Sequence, residues 1–366
     1  MKEMNAANDR DGLSGMNDRN GQKVFRGVKW KFPEAFKVDA EPAAWPLASL
    51  PDDHVLIRTA VSLISPGTEL ALFTGTHVEL PNPANRWAKL PFFPGYASVG
   101  EVIAAGRSVC GITAGMRVLA TGHHATYDCI PYAEHHVVPL PNEAIAKHVL
   151  FAKLAEIATA STVQARIAPG HLVVVFGLGL IGNLAAQLFA LQGARVIGVD
   201  VVERRVAAAR DVGIERTVHS TGMTEEELAA HIEALAGGEA PHVVVEATGN
   251  PALVTPALQL VRPLGQVILL GSPRASAEID LYRHIHSRGV SLIGAHNRIK
   301  GLEGVPAEAH TLRYVLDLIV RRQLAVEPLI THMLSWTEAA RAYELLLHDK
   351  DKAIGVLLDW TDASRR

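Results

Sequence analysis

One short stretch governs what this chain can fold into. Leu172-Val-Val-Val-Phe is an unbroken run of strand-forming residues, and it leads directly into Gly177-Leu-Gly179-Leu-Ile-Gly182. Residues 183–192 then read as a helix. Strand, glycine turn and helix in that order make the opening of a βαβ unit built to hold a diphosphate. Gly177 permits the tight turn. Gly179 lets a pyrophosphate come close to the backbone, and Gly182 lets the helix sit against the strand. The helix N-terminus, with the amides of Leu180 and Ile181 in its first turn, supplies free N–H groups and partial positive charge. An acid belongs at the end of the next strand, where it accepts hydrogen bonds from the adenosine ribose. Asp200 closes the strand Arg195-Val-Ile-Gly-Val-Asp. A carboxylate there repels the extra phosphate of NADP, so NAD is the expected cofactor; Arg204 and Arg205 close by leave NADP open. The plain alternative is a glycine-rich connection with no ligand, and the agreement of turn, strand, helix and acid weighs against it. Two later loops, Ala247-Thr248-Gly249 and Gly271-Ser272, fall at strand ends on the same edge of the sheet. Ligands bind outside the carboxyl ends of such strands. Thr248, Gly249, Gly271 and Ser272 are therefore candidate cofactor contacts, with ordinary turn chemistry as the competing explanation.

The pattern around that turn repeats. Apolar strands alternate with helical stretches from about residue 154 to 297, and six strands emerge: 172–176, 195–200, 216–219, 242–247, 266–270 and 290–293. This predicts a Rossmann-type, doubly wound parallel six-stranded sheet in an α/β protein. Residues 22–153 read differently. Short extended runs such as Asp53–Val61, Ala97–Ile103, Met116–Ala120 and Ala133–Val138 are punctuated by Pro and Gly, which predicts a small twisted β-domain closed as a barrel. After residue 298 come helical stretches at 307–322 and 337–348 and a final strand at 353–360, expected to return to the first domain. Residues 1–21 read as a loose tail. A chain of 366 residues suits two such domains.

Composition narrows the partners. Lys plus Arg total 35 against 38 Asp plus Glu, a net charge of −3, so no global charge advertises nucleic acid or an anionic membrane. The two cysteines, Cys110 and Cys129, rule out a disulfide framework and a four-cysteine zinc site, while seventeen histidines keep other metal sites open. Residues 172–194 carry no formal charge and are long enough to cross a bilayer. Their four glycines, with Asn183, Gln187 and Gln192, fit a strand, a turn and a buried helix better. The polar N-terminus has no signal-peptide core, and a cytoplasmic protein acting on a small molecule is expected.

A β-rich first domain followed by this nucleotide-binding domain resembles the medium-chain dehydrogenase/reductase superfamily over about residues 22–366. The matching stretches are Gly67-Thr-Glu69 followed by Gly75, Pro94-Gly95-Tyr-Ala-Ser-Val-Gly100-Glu-Val, Gly115-Met-Arg-Val, Tyr132–Pro139 and the glycine turn. The resemblance implies a GroES-like β-barrel catalytic domain, NAD(P)-dependent hydride transfer in the cleft between domains, and a homodimer or homotetramer. Zinc-dependent members carry a Cys before the Gly-Thr-Asp-like triplet, where this chain has Ile64-Ser65-Pro66. They carry Gly-His-Glu where this chain has Gly95-Tyr96-Ala97. The third ligand region, 156–161, offers Glu156 but no Cys. The chain therefore resembles a zinc-free branch, and its Ser-Pro-Gly-Thr-Glu and Gly-Ala-His stretches are loosely similar to bacteriochlorophyllide dehydrogenase-like proteins. No zinc is expected.

Hydride transfer without the metal still needs a proton donor or acceptor and something to hold charge on the substrate oxygen. Tyr96 replaces the ligand histidine and could donate a hydrogen bond, or else be a wall aromatic. Thr68 matches the superfamily's proton-relay hydroxyl, or else stabilises a turn. Glu69 reads as a structural ion-pair partner. His123 and His124 follow a strand in a loop expected to face the cleft, and either could be the general acid or base. His296, after the sixth strand, is a further candidate. The crowd of His123, His124, Asp128, Cys129, His135 and His136 raises a replacement metal site. His135 and His136, adjacent on an expected strand, would point to opposite faces, and no standard ligand spacing appears. The expected function is a zinc-independent NAD(P)(H) oxidoreductase acting on an alcohol/ketone pair. Its rivals are a quinone or enone reductase and a non-catalytic NAD(P)H sensor. The strand at 290–293 could pair across a two-fold axis at the sheet edge.

Overall fold

The protein is described as a computed structural model covering residues 15–17 and 21–363. The expected tail falls largely outside the described residues. Within it, β1 (Met16–Asn17) is no tail but a short strand paired antiparallel with β2 (Lys23–Lys31), Met16 opposite Val24. The chain forms two compact units. The first takes residues up to 150 together with 333–343 and the stretch from 357 onward. The second takes 151–332 and 344–356.

In the first unit, β2 and β3 (Asp39–Pro46) make an antiparallel ribbon. β4 (His54–Leu63) is the organising strand. α1 (Thr68–Phe73) follows it, then β5 (Ser98–Ala105), β6 (Arg117–Ala120), β7 (Tyr127–Pro131), β8 (Val137–Pro139) and the short α2 (Ala146–Val149). β4 pairs antiparallel with β5 along one edge and with β7 along the first half of the other. β5 pairs with β6, and β6 with β8. The period-two rule decides which residues of β4 go where. Val55 and Ile57 join Val102, Val118, Ile130 and Val137 in one cluster, while Leu56 joins Phe25, Trp45 and Tyr127 on the opposite face. Register shifts beside Leu56 and Thr59 bend the strand, as bulges do in small closed β-domains. The expected strand at 133–138 is cut short. Residues 134–136 are a turn, and the rings of His135 and His136 meet edge-on, 4.2 Å apart, instead of facing opposite ways.

The second unit opens with α3 (Phe151–Thr162) and the fully buried β9 (Leu172–Phe176). α4 (Leu180–Leu191), β10 (Arg195–Asp200), α5 (Glu203–Asp211), β11 (Arg216–His219) and α6 (Glu225–Ala236) follow. Thr224 opens α6 with a capping box closed by Glu227. Then come β12 (Val243–Glu246), α7 (Val254–Leu260), β13 (Gln266–Leu269) and β14 (Ser291–Gly294). All six strands are parallel in the order β11-β10-β9-β12-β13-β14. Direction of winding reverses between β9 and β12, which is where such sheets hold ligands. The stretch 172–194 is thus a strand, a turn and a twelve-residue helix; among the described residues no helix is long and apolar enough to cross a membrane.

The segment after residue 298 divides instead of returning whole to the first unit. α8 (Glu308–Val320) stays with the second, because it buries Leu312, Val315, Leu316 and Ile319 and ties Glu308 and Thr311 to Lys153 and Glu156 on α3. β15 (Ile330–Ser335), α9 (Ala339–His348) and β16 (Gly355–Asp359) complete the chain. β16 runs antiparallel to β4, Leu358 opposite Ser62.

Candidate functional site

The glycine turn has the shape its sequence requires. Gly177 lies at φ +89°, a conformation that suits glycine. A Cβ on Gly182 would stand 1.8 Å from the carbonyl oxygen of Gly177, so no larger residue fits while the turn is closed. A Cβ on Gly179 would meet nothing within 4 Å. Open space over Gly179, at the mouth of α4, is the cradle a diphosphate needs, and the residues fit a dinucleotide. Leu180 and Ile181 form the first turn of α4 with their backbone donors directed there. Asp200 is buried at the end of β10. Its carboxylate accepts the N–H of Leu178 at 2.7 Å and of Val202 at 2.8 Å, and Arg205 lies 3.6 Å away. The acid therefore pins the glycine turn as well as standing where a ribose would be read. Arg204 is exposed in the first turn of α5.

The two later loops lock onto the first. A Cβ on Gly177 would strike the Thr248 side chain at 2.6 Å, one on Gly249 the Ser272 carbonyl at 2.5 Å, and one on Gly271 the Gly249 nitrogen at 2.2 Å. Thr248, Gly249, Gly271 and Ser272 are thus gathered at one sheet edge with the glycine turn. Glu246, which sequence reasoning passed over, sits beneath them, and burial pushes its carboxyl upward. His296 lies in the same unit after β14. Its Nδ1 accepts the Arg298 N–H at 3.1 Å, and burial together with the Arg298 charge holds the imidazole below its ordinary value.

The first unit gathers hydroxyls. Tyr96 donates a hydrogen bond to Ser65 Oγ. Burial pushes the phenol up to about 12, with the Glu69 carboxylate adding to the rise and the hydroxyls of Ser65 and Thr68 opposing it. Tyr96 is thus held as a neutral donor, beside Thr68 at the first position of α1. The Glu69 carboxylate accepts the Ser65 N–H at 2.9 Å and the Tyr343 hydroxyl at 2.6 Å. It also meets His124 Nε2 at 3.1 Å. His124 is 0% exposed, and its Nδ1 is 2.8 Å from Ser62 Oγ, which in turn accepts Trp360 Nε1–H. His124 is therefore a sealed core histidine that joins the final strand to the Thr68 turn, not a cleft residue as its place after a strand suggested.

His123 is the opposite case. Its side chain is 44% exposed, and Nδ1 lies 2.8 Å from Asp128 Oδ2, which also accepts the His123 backbone N–H at 2.8 Å. Burial works to raise the Asp128 carboxyl, yet the His123 hydrogen bond and the charges of His123 and Lys29 leave it below the usual carboxylate range. The Pro94-Gly95 turn that presents Tyr96 packs directly on this loop: His124 N–H donates to the Pro94 carbonyl at 2.8 Å, and a Cβ on Gly95 would stand 2.9 Å from His123 Cα. A His–Asp pair and a Tyr–Ser–Thr hydroxyl cluster are therefore neighbours. Asp128 stood out in the sequence only as a member of the histidine-rich stretch; its role as the partner of His123 shows in the folded loop.

In the stretch Ile64-Ser65-Pro66, which holds no cysteine, Ser65 is hydrogen-bonded to Tyr96. Glu156 is enclosed by Lys300 at 3.1 Å and Lys153 at 3.4 Å. A hydroxyl–phenol pair and a carboxylate paired to two ammonium groups do not match the thiolate, imidazole and carboxylate set that zinc prefers. Among the described residues no group of three His, Cys, Asp or Glu side chains is placed to hold a metal.

Comparison with known proteins agrees with this architecture. The profile of the zinc-binding dehydrogenases matches residues 181–303. The L-threonine 3-dehydrogenase of Proteus mirabilis is 24% identical over 365 residues, covering 88% of this chain and 98% of its own. The 2R,3R-butanediol dehydrogenase of Bacillus subtilis superposes with a TM-score of 0.77 at 17% identity, over 92% of this chain and 99% of that one. The alcohol dehydrogenase of Thermus sp. ATN1 does so with a TM-score of 0.73 at 23% identity, over the same shares. With the Rossmann sheet, the glycine turn and the β-rich first unit already in place, the chain shares the fold of the alcohol dehydrogenases and is similar in sequence to the zinc-binding dehydrogenases and to the L-threonine 3-dehydrogenases.

Proposed function

We propose that this enzyme moves a hydride between a nicotinamide and an alcohol/ketone pair without a zinc ion. The observation that carries the reading is the Tyr96–Ser65 hydrogen bond, made between the residue that replaces the ligand histidine and a serine of the cysteine-free stretch Ile64-Ser65-Pro66. Zinc's task is to polarise the substrate oxygen and stabilise its negative charge. Preorganised neutral donors perform the same task when water is excluded. The Ser65 hydroxyl, whose oxygen accepts the Tyr96 proton and whose own hydrogen is left to donate, and the Thr68 hydroxyl are such donors, with Tyr96 orienting the first. The nicotinamide, when bound, supplies or accepts the hydride. In reduction, the substrate oxygen takes one proton, for which His123 is positioned with its Nδ1 anchored on Asp128 and its other nitrogen left for chemistry. In oxidation the same proton returns to His123. Asp200, placed for the ribose hydroxyls, favours NAD.

Elemental analysis of the purified protein, paired with an activity panel, tests this. Less than about one zinc in ten chains, with turnover of secondary alcohols or ketones by NAD(H), is expected. Stoichiometric zinc required for turnover refutes the metal-free reading. Turnover confined to enones or quinones replaces it with the reductase reading, and cofactor binding without turnover on any panel leaves a sensor. For the acid, Asp200→Ala should weaken NAD more than NADP. We also propose that the chain forms a homodimer or homotetramer through the exposed edge of β14; a monomer by light scattering refutes that.

A further inference from the structure

Three backbone loops form the cofactor edge of the sheet, and one residue touches or anchors all of them. Glu246, the last residue of β12, is 1% exposed. Its Oε1 accepts the Thr248 N–H at 2.8 Å and the Thr248 hydroxyl, and Oε2 accepts the Gly249 N–H at 3.1 Å. Its backbone carbonyl accepts the N–H of both Leu270 and Gly271 at 2.8 Å, which fixes the start of the third loop. Thr248, held in this way, is the residue against which Gly177 of the first loop is packed. Thr248 Oγ1 in turn accepts the Asn250 N–H at 2.9 Å, so the hydroxyl is oriented at both ends.

A carboxylate at this depth is costly unless its oxygens are occupied by donors. Here the donors are those of the loop itself. The arrangement replaces water as the acceptor for backbone N–H groups that would otherwise solvate the open loop in many conformations. Loop order is then prepaid before a ligand arrives, and preorganisation of this kind is felt as affinity. We propose that Glu246 is a positioning residue for dinucleotide binding, its carboxylate clamping the Thr248–Gly249 amides so that the three loops present one preformed surface. The inference rests on the NAD(P) reading of the site.

The test uses the full chain. NADH and NADPH binding is measured by calorimetry on the wild type, Glu246→Gln and Thr248→Val, alongside melting curves and amide hydrogen exchange of the cofactor-free protein. Gln is isosteric but sets an NH2 group against one of the loop donors. Thr248→Val keeps the loop's shape and removes only the hydroxyl, so it reports if Glu246→Gln does not fold. We expect Glu246→Gln to weaken NADH binding about tenfold or more, and Thr248→Val about threefold, each with faster exchange at the Thr248 and Gly249 amides. A lower melting temperature with unchanged NADH affinity overturns the proposal, since a purely structural carboxylate behaves that way. Wild-type affinity in both variants overturns it as well. Failure of the wild type to bind either dinucleotide brings down the cofactor reading itself, and the inference with it.

Discussion

Tyr96 and Ser65 are joined by a direct hydrogen bond, with the phenol donating to the serine hydroxyl. Neither residue is a good metal ligand in its neutral state. The pair also sits over Glu69, which fixes the Ser65 backbone at 2.9 Å. The Ser65 hydroxyl is thereby held from both its side chain and its backbone.

Replacing Tyr96 by Phe removes the phenol that orients the Ser65 hydroxyl, the proposed substrate donor, and little else. We expect kcat to fall about 10²–10³-fold while NADH affinity stays within about twofold, because losing one oxyanion donor costs on that scale. Steady-state kinetics with calorimetry checks both halves. Since burial holds the phenol up to about 12, the pH–rate profile should show no limb from Tyr96 below about pH 10.

Asp128→Asn leaves His123 without its anionic partner. A loss of about 10²-fold or more in kcat is expected, with folding retained. The same substitution should alter acid stability. The folded Asp128 carboxyl lies below its unfolded value, so its contribution is complete above about pH 4 and disappears as pH falls through the folded value. Urea unfolding between pH 5 and pH 3 (about one to two units around the carboxylate range) should be steeper in pH for the wild type than for the variant.

His171 and His242 stack with ring centroids 3.8 Å apart, and His242 Nδ1 accepts the Leu172 N–H at 3.3 Å. Burial, then the charges of Arg262, His171 and Arg195, hold His242 below its ordinary value against the pull of Glu239. A base whose folded pKa is depressed binds more protons when unfolded. Stability is then highest above about pH 6.5 and declines as pH falls below it. Denaturant titrations at pH 7.5 and pH 5.5 (roughly one unit either side of the imidazole value) should show this decline, and His242→Gln should flatten it.

Gly179 and Gly182 should respond differently to alanine. Gly182→Ala collides with the Gly177 carbonyl, so both the melting temperature and NADH binding should fall. Gly179→Ala meets open space within the chain, and its backbone at φ −61° accepts alanine, so the apo protein should melt normally while binding drops about tenfold or more. Equal melting losses in the two variants refute the cradle.

The second unit was largely legible before any coordinates. A Val-rich strand, three glycines at fixed spacing and an acid at the next strand end are local patterns, and parallel βαβ units leave few ways to assemble them. The first unit was legible as a class but not in its details. His123 and His124 are neighbours in sequence with the same local signals, yet one ring is sealed on Glu69 and Ser62 while the other is half exposed on Asp128. That choice depends on β4, β7 and the final strand meeting around the loop.

By itself the sequence determined the periodicities, the glycine turn with its following acid, and the lack of a Cys in Ile64-Ser65-Pro66 and of a His in Gly95-Tyr96-Ala97. Each of these is a property of neighbouring residues or of a residue's own chemistry. Only the tertiary structure decided that Ser65 and Tyr96 bond to each other, that Asp128 orients His123, that Glu246 clamps a loop and that Glu156 is neutralised by two lysines. The Ser65–Tyr96 bond and the Lys300–Glu156 pair join residues far apart along the chain, and the nearer contacts depend on how the packing of whole elements turns each side chain, which no local preference fixes.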